Sequence, residues 1–394
     1  MEVRKNMKNK IIIKGLLIGI IILFIGVSIA SGFNINSTTN YQPINRSWLY
    51  VGGSEPGNYS KIQDAINNAS DGDTVFVYSH SSPYKENIAV NKSINLIGED
   101  KNTTIIDGEK KDIVVYITAD NVNIGMFTIE NSSNISASGG IFAKSDSNFI
   151  FDNIIKDNYV GIFTNYSNNN KIINNNINYN HIGIEIDDSE NNNISYNLIT
   201  ENSYGIFISS SSKIMIFNNT VIRCNIGIEV TYSKFIEIVK NVISESKPGY
   251  IIEIGIGIFS DGGTNIYQNF LFNNQYGIMY TGFLVGSGFI YLNNISYNEN
   301  AISIVGILGV QVFYNDIWYN NNSIILFSCQ AIITKNNIVS NSTIKLNSMF
   351  SFGLANNNYW GTSDFVNPRR FVRPPWALFL FFPWKSKPVD ITPP

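Results

Sequence analysis

GIFTNYSNNNKIINNNINYNHI (161–182), GIEIDDSENNNISYNLITENSY (183–204), GIFISSSSKIMIFNNTVIRCNI (205–226) and GIEVTYSKFIEIVKNVISESKP (227–248) are consecutive copies of one degenerate 22-residue repeat. Gly161, Gly183, Gly205 and Gly227 open the copies, each followed by Ile. Further columns align behind them: Ser167, Ser189, Ser211 and Ser233; Ile172, Ile194, Ile216 and Ile238; Asn175, Asn197, Asn219 and Asn241; Ile177, Ile199, Val221 and Ile243. Each copy therefore holds two short period-2 segments, G-I-x-I and I-x-x-N-x-I, separated by Ser/Asn turns, and no helical pattern lies between them. Segments this short cannot bury their Ile side within one copy. They bury it by stacking on the preceding copy in parallel, in-register sheets about 4.8 Å apart. The default hand of parallel crossovers is right, so the predicted fold is an all-β right-handed parallel β-helix with three sheets and about 22 residues per coil.

The I-x-x-N-x-I signature extends in both directions, with variable turns. It reads at Ile150/Asn153/Ile155, Ile266/Asn269/Leu271, Ile290/Asn293/Ile295, Val312/Asn315/Ile317, Ile333/Asn336/Ile338 and Leu354/Asn357/Tyr359. The sequence thus predicts an internal ladder of Asn153, Asn175, Asn197, Asn219, Asn241, Asn269, Asn293, Asn315, Asn336 and Asn357, each amide bonded to its neighbour one coil away. Asn also tolerates the left-handed backbone that a tight corner demands. The stretches Glu245 to Ile256 and Gly282 to Gly288 lengthen single turns and are the predicted protruding loops.

Both ends of such a stack need covering. Tyr59 to Ala69 places Ile62, Ala65, Ile66 and Ala69 on one helical face, with Ser60 as the expected N-cap. The tail after Gly361 is rich in Pro, Arg and aromatics, and its Trp376–Trp384 strip is too short to span a membrane. The expected organisation is a signal peptide or N-terminal anchor at 1–31, a linker at 32–47, an N-terminal cap at 48–73, the β-helix at 74–361 and a C-terminal cap at 362–394. The first segment has Arg4, Lys5, Lys8, Lys10 and Lys14 ahead of an apolar run from Gly15 to Ala30, with Ser28 and Ala30 framing a cleavage site before Ser31. Cleaved or retained as a membrane anchor, it places the rest outside the cytoplasm, secreted or at the cell surface. The sequons at Asn91, Asn131, Asn193, Asn218 and Asn294 are compatible with export.

Only 14% of the residues are charged and the formal net charge is −3, with no basic block beyond the first ten residues. This excludes a nucleic-acid partner held through phosphates. Cys224 and Cys329 fall about five coils apart, on the order of 24 Å, well beyond the roughly 7 Å Cα limit for a disulfide. Two free, buried thiols are expected.

Y-V-G-G-S (50–54), K-I-Q-D-A-I (61–66), G-D-T-V-F-V-Y (72–78), N-K-S-I-N-L-I-G-E-D (91–100), T-I-I-D-G (104–108) and N-Y-W-G (358–361) resemble the NosD-like β-helix family. That family lies within the pectin-lyase-like superfamily, and the form is the one common among archaeal exported proteins. The resemblance covers roughly 48 to 361 and implies a right-handed three-sheet β-helix. It also implies a periplasmic copper-binding role. The residues do not carry that over, since copper sites want His, Met or Cys clusters, and His80 and His181 are the only histidines. Enzymes of the superfamily cleave acidic polysaccharides, with Ca²⁺ and an Arg or Lys base or with clustered carboxylates. Arg223 is the one arginine inside the repeats, and it sits in a turn-like stretch that reads as surface.

Two constellations remain. Glu185, Asp187 and Asp188, with His181 before them and Glu190 after, form the most acidic spot. Glu185 and Asp187 point outward from one strand and are the candidate catalytic pair or, with no resident cofactor otherwise expected, a site for Ca²⁺. No dedicated metal ligands are read. Two places after each repeat Gly stand Phe142, Phe163, Glu185, Phe207, Glu229, Phe259 and Met279, an outward stripe on which sugar rings could stack unless a loop or the tail covers it. The expected function is non-catalytic binding of a polysaccharide or cell-envelope glycan, or a structural envelope role. The alternatives are a polysaccharide lyase or glycoside hydrolase, and a NosD-type copper accessory protein.

Overall fold

The computed structural model describes residues 47–135, 138–249, 254–282, 288–340, 345–361, 372–373, 378–380 and 385–390, all in the unit Arg46–Pro394. The predicted targeting segment, most of the linker, Trp376 and Trp384 lie outside the described residues. The described strands, two to six residues long, fall into three sheets of 15, 11 and 13 strands, and every described pairing is parallel. Successive strands of one sheet come from successive coils, so the chain winds as a right-handed parallel β-helix. The first sheet contains Lys171–Ile173 and Asn193–Ser195, and the second Asn176–Asn178 and Leu198–Thr200. The third holds the glycine-led strands Val160–Asn165, Ile182–Asp187, Tyr204–Ser209 and Ile226–Thr231.

The repeat columns become physical columns. Ile172 pairs with Ile194 and Ile194 with Ile216 in the first sheet, Ile177 with Ile199 in the second, and Ile162 with Ile184 in the third. All are fully buried, each contributing roughly 1.5–3 kcal/mol of apolar transfer. Both cysteines are free and buried.

At the corner between the first and second sheets, Asn175 donates from Nδ2 to Asn197 Oδ1 (3.1 Å) and to the Ile150 carbonyl (3.0 Å), and its N–H donates to the same Asn197 oxygen (2.9 Å). The same set recurs at Asn197, Asn219, Asn241, Asn269, Asn293, Asn315 and Asn336. Two details differ from expectation. The left-handed backbone belongs to the residue before each ladder Asn, including Tyr196, Leu292, Tyr314 and Lys335, with φ between 56° and 59°. A non-Gly residue there costs about 1–2 kcal/mol, which the amide's several bonds offset. The last rung is Asn358, not Asn357: Asn336 Nδ2 donates to Asn358 Oδ1 (3.0 Å), Ile333 pairs with Ala355, and Asn357 takes the left-handed position. Leu354 is exposed and Trp360 buried, so the predicted Leu354/Asn357/Tyr359 register slips by one. The Asn356–Asn358 run hides the slip, since any of three neighbouring amides fits the pattern.

A second ladder stands five residues on, at the corner between the second and third sheets. Asn158, Asn180 and Asn202 bond successively, as do Asn274, Asn298 and Asn320. Between these runs the rung positions hold Cys224 and Ser246, both buried, and Ser246 Oγ has no hydrogen-bond partner among the described residues. At the third corner the serine column bonds from each N–H to the next Oγ: Ser167 to Ser189, Ser189 to Ser211 and Ser211 to Ser233, at 3.0–3.1 Å.

The helix runs Ile62–Asn68 and buries Ile62, Ala65 and Ile66. Ser60 does not cap it. The Glu86 carboxylate does, accepting the N–H groups of Ile62 (2.8 Å) and Gln63 (3.1 Å) from 24 residues away; a negative group at a helix start also suits the dipole. Part of the segment 48–73 is itself sheet, because Trp48–Val51 pairs with Thr74–Val77 at the edge of the first sheet. The tail likewise adds strands rather than only covering the last coil: Val372–Arg373 pairs with Leu346–Asn347, Leu378–Leu380 pairs with Phe352–Leu354, and Lys385 bridges Tyr359. The predicted loops leave the stack near Ser246 and Gly282, and their middles, 250–253 and 283–287, lie outside the described residues.

Candidate binding face

Strict in-register pairing turns the stripe into one continuous outer column of the third sheet. Tyr116, Phe142, Phe163, Glu185, Phe207, Glu229, Phe259, Met279 and Ser303 each pair with the next. Its beginning is not an open platform. Phe142 and Phe163 stack at 4.6 Å between ring centroids and are only 7% and 8% exposed. Tyr116, Ile113, Tyr159 and Ile182 pack around them. Among the described residues it is these neighbours that cover the two rings, which leaves Phe142 and Phe163 little surface for a ligand.

From Glu185 to Met279 the column is half-buried and accessible. Glu185 lies between Phe163 and Phe207, and Glu229 between Phe207 and Phe259. Burial, with Asp187 adding repulsion, pushes the Glu185 carboxyl up to about 7. Burial, with Asp261 adding repulsion, does the same to Glu229, again to about 7. The apolar flanks disfavour the charged form. Oε2 of Glu229 is buried and accepts no hydrogen bond from the described residues.

The remaining predicted residues disperse. Asp187 accepts a bond from Asn165 Nδ2 (3.2 Å) on the preceding coil. Asp188 is exposed in a left-handed turn and bonds the Tyr166 hydroxyl. Glu190 pairs with Lys213. His181 is half-buried in an aromatic row between Tyr159 and Tyr204, and burial lowers its pKa. Arg223 is a corner residue paired with Glu201, at a cleft also lined by Cys224, Asn225, Glu245, Lys247 and Pro248. Glu185 and Asp187 therefore share a strand but converge with neither His181 nor Arg223. Asp261, which faces Glu229, was not legible in the repeat because the long insertion at Glu245–Ile256 breaks the 22-residue spacing. Its Gly262-Gly263 turn is the signal that marks the corner.

Residues 66–250 match the model of the family described as periplasmic copper-binding protein (NosD). Among solved structures, the chain is similar to XylC in complex with xylose (11% identity, 79% of this chain and 84% of that chain, TM-score 0.53). It is also similar to the Dettilon tailspike protein gp208 (13%, 82% and 64%, TM-score 0.51). The A-module of the Azotobacter vinelandii mannuronan C-5 epimerase AlgE4 aligns at 16% identity over 76% of this chain and 90% of that one, with a TM-score of 0.47. No curated protein matches by sequence. The family description points to a location outside the cytoplasm.

The donor set does not fit copper. His80 is exposed in the Ser79–Ser81 turn, far along the stack from His181. The Cys224 thiol is pushed up to about 12 by burial, and burial also raises Cys329, whose thiol donates to Ser351. Neutral buried thiols are poor ligands. Among the described residues no three His, Cys, Asp or Glu groups come together as a metal site. The chain is a right-handed parallel β-helix whose residues 66–250 are similar to the NosD family.

Proposed function

We propose that the chain binds a polysaccharide outside the cytoplasm along the outer column from Glu185 to Phe259, without cleaving it. The observation that carries this is the alternation Glu185, Phe207, Glu229, Phe259 at one-coil spacing on a half-buried sheet face. Phenyl rings suit the C–H faces of sugars, and carboxyl groups held near neutrality both donate to and accept from hydroxyls. Secretion or retention at the cell surface by the N-terminal segment belongs to the same reading.

Glycan-array binding by the folded chain tests it. Phe207→Ala with Phe259→Ala is expected to weaken binding about tenfold or more, and unchanged binding overturns the reading. A hydrolase is favoured by one observation, a carboxyl held near neutrality beside Asp187, an arrangement suited to a general acid. Release of reducing ends that Glu185→Gln abolishes would replace binding by hydrolysis. Stoichiometric copper in the purified chain would restore the metal-handling role.

A further inference from the structure

The charges on this face discriminate among sugar classes. Beside the column stand Glu185, Asp187, Glu229 and Asp261, with Asp188 at the rim. The described cations near it are placed elsewhere. Lys144 lies over the Phe142 ring (5.5 Å), two coils before Glu185. Lys213 pairs with Glu190 (2.5 Å), Lys234 sits over Phe235 (6.0 Å), and Arg223 pairs with Glu201.

Resting on the binding role above, we propose that this face selects an amine-bearing glycan, seating ammonium groups at Glu185 and Glu229 on either side of Phe207, and rejects polyuronates. Two physical points support the choice. A uronate chain would bring like charges beside these partly desolvated carboxyl groups, which is strongly unfavourable. An ammonium at Glu229 gains an ion pair with Phe207 and Phe259 as phenyl neighbours, and one at Glu185 gains an ion pair with Phe207 beside it, the arrangement that favours cations over aromatic rings.

Spacing adds a third point. Glu185 and Glu229 are separated by two coils, about 9.6 Å at the usual strand spacing. In an extended 1,4-linked chain every second sugar presents the same edge at a comparable repeat. A chain lying along the helix axis therefore offers alternate amines to the two carboxylates, with the sugar between them over Phe207.

Calorimetric titration of the full folded chain with three oligomers of equal length tests the proposal near neutral pH: β-1,4-glucosamine, its fully N-acetylated counterpart, and α-1,4-galacturonate. The amine oligomer is expected to bind about tenfold or more tighter than the acetylated one, and Glu185→Gln with Glu229→Gln is expected to remove that difference. Gln preserves the shape beside the rings, and a melting curve at pH 4 that matches the parent's certifies the fold. Equal affinity for the amine and acetylated oligomers overturns amine selection while polymer binding stands, as does tightest binding of the uronate. An equal loss on Glu299→Gln, an exposed carboxylate away from the column, shows charge attraction alone and also overturns it. Failure of all three oligomers to bind overturns amine selection, and only the array result then decides the broader reading.

Discussion

Two asparagine ladders run along the same helix, one at each end of the second sheet, and they differ in continuity. The first is unbroken from Asn153 to Asn358. The second has the same geometry at Asn180–Asn202 and Asn274–Asn298 but passes through Cys224 and Ser246. The gap falls at Ser246, where the turn enlarged by the Glu245–Ile256 stretch begins, and at Cys224 one coil before it. At that corner Ser246 still lends its N–H to Asn274 Oδ1 (2.9 Å), yet its hydroxyl finds nothing. The stack tolerates a missing rung where a smaller side chain fills the space, because core Ile burial on either side continues unchanged. A rung removed from the intact ladder leaves donors stranded instead.

That contrast can be tested by substitution. Asn197→Leu strands both the N–H and the amide of Asn175 and deprives the Ile172 carbonyl of its donor. A loss of about 3 kcal/mol is expected in denaturant unfolding, and a loss below that of an exposed control, Glu190→Ala, would refute an energetic role for the ladder. Completing the second ladder with Cys224→Asn and Ser246→Asn is expected to stabilise by about 1–2 kcal/mol; destabilisation would mean that the corner there cannot accommodate an amide. Ser246→Ala, which removes a hydroxyl with no partner, is expected to lie within about 0.5 kcal/mol of the parent.

The outer column extends the contrast, because there polar groups are buried with no ladder to satisfy them. Glu185 and Glu229 bind protons more tightly folded than unfolded, since their carboxyls stand near 7 rather than 4.5. Their contribution to stability is therefore fully present below about pH 4.5 and declines as the pH rises through 7. Thermal melts should show the Glu185→Gln/Glu229→Gln chain gaining a few degrees over the parent at pH 8 and nothing at pH 4. A pH-independent difference would place these carboxyls in ordinary solvent.

Much of this could be read from the chain itself, and the failures have identifiable causes. The Gly, Ser, Ile and first Asn columns were visible because four consecutive coils repeat them without insertion. The second ladder was missed because its column within those coils reads Asn180, Asn202, Cys224, Ser246, which resembles no conserved chemistry until the corner geometry shows one position. The outward stripe was legible as alternation, but alternation does not say that Ile113, Tyr116, Tyr159 and Ile182 close over Phe142 and Phe163.

The sequence by itself determined the period, the parallel stacking and the inward faces, since a strand of three to five residues with β-branched alternation can satisfy its burial in no other way. Only the tertiary structure decided which residue takes the left-handed corner, that Glu86 rather than Ser60 caps the helix, and that Asp261 meets Glu229. Each of these depends on distances between residues about 20 to 30 positions apart, set by turn lengths that vary from coil to coil. The perturbed carboxyls follow for the same reason: desolvation is a property of what surrounds a side chain in space, and one coil of neighbours on each side supplies it.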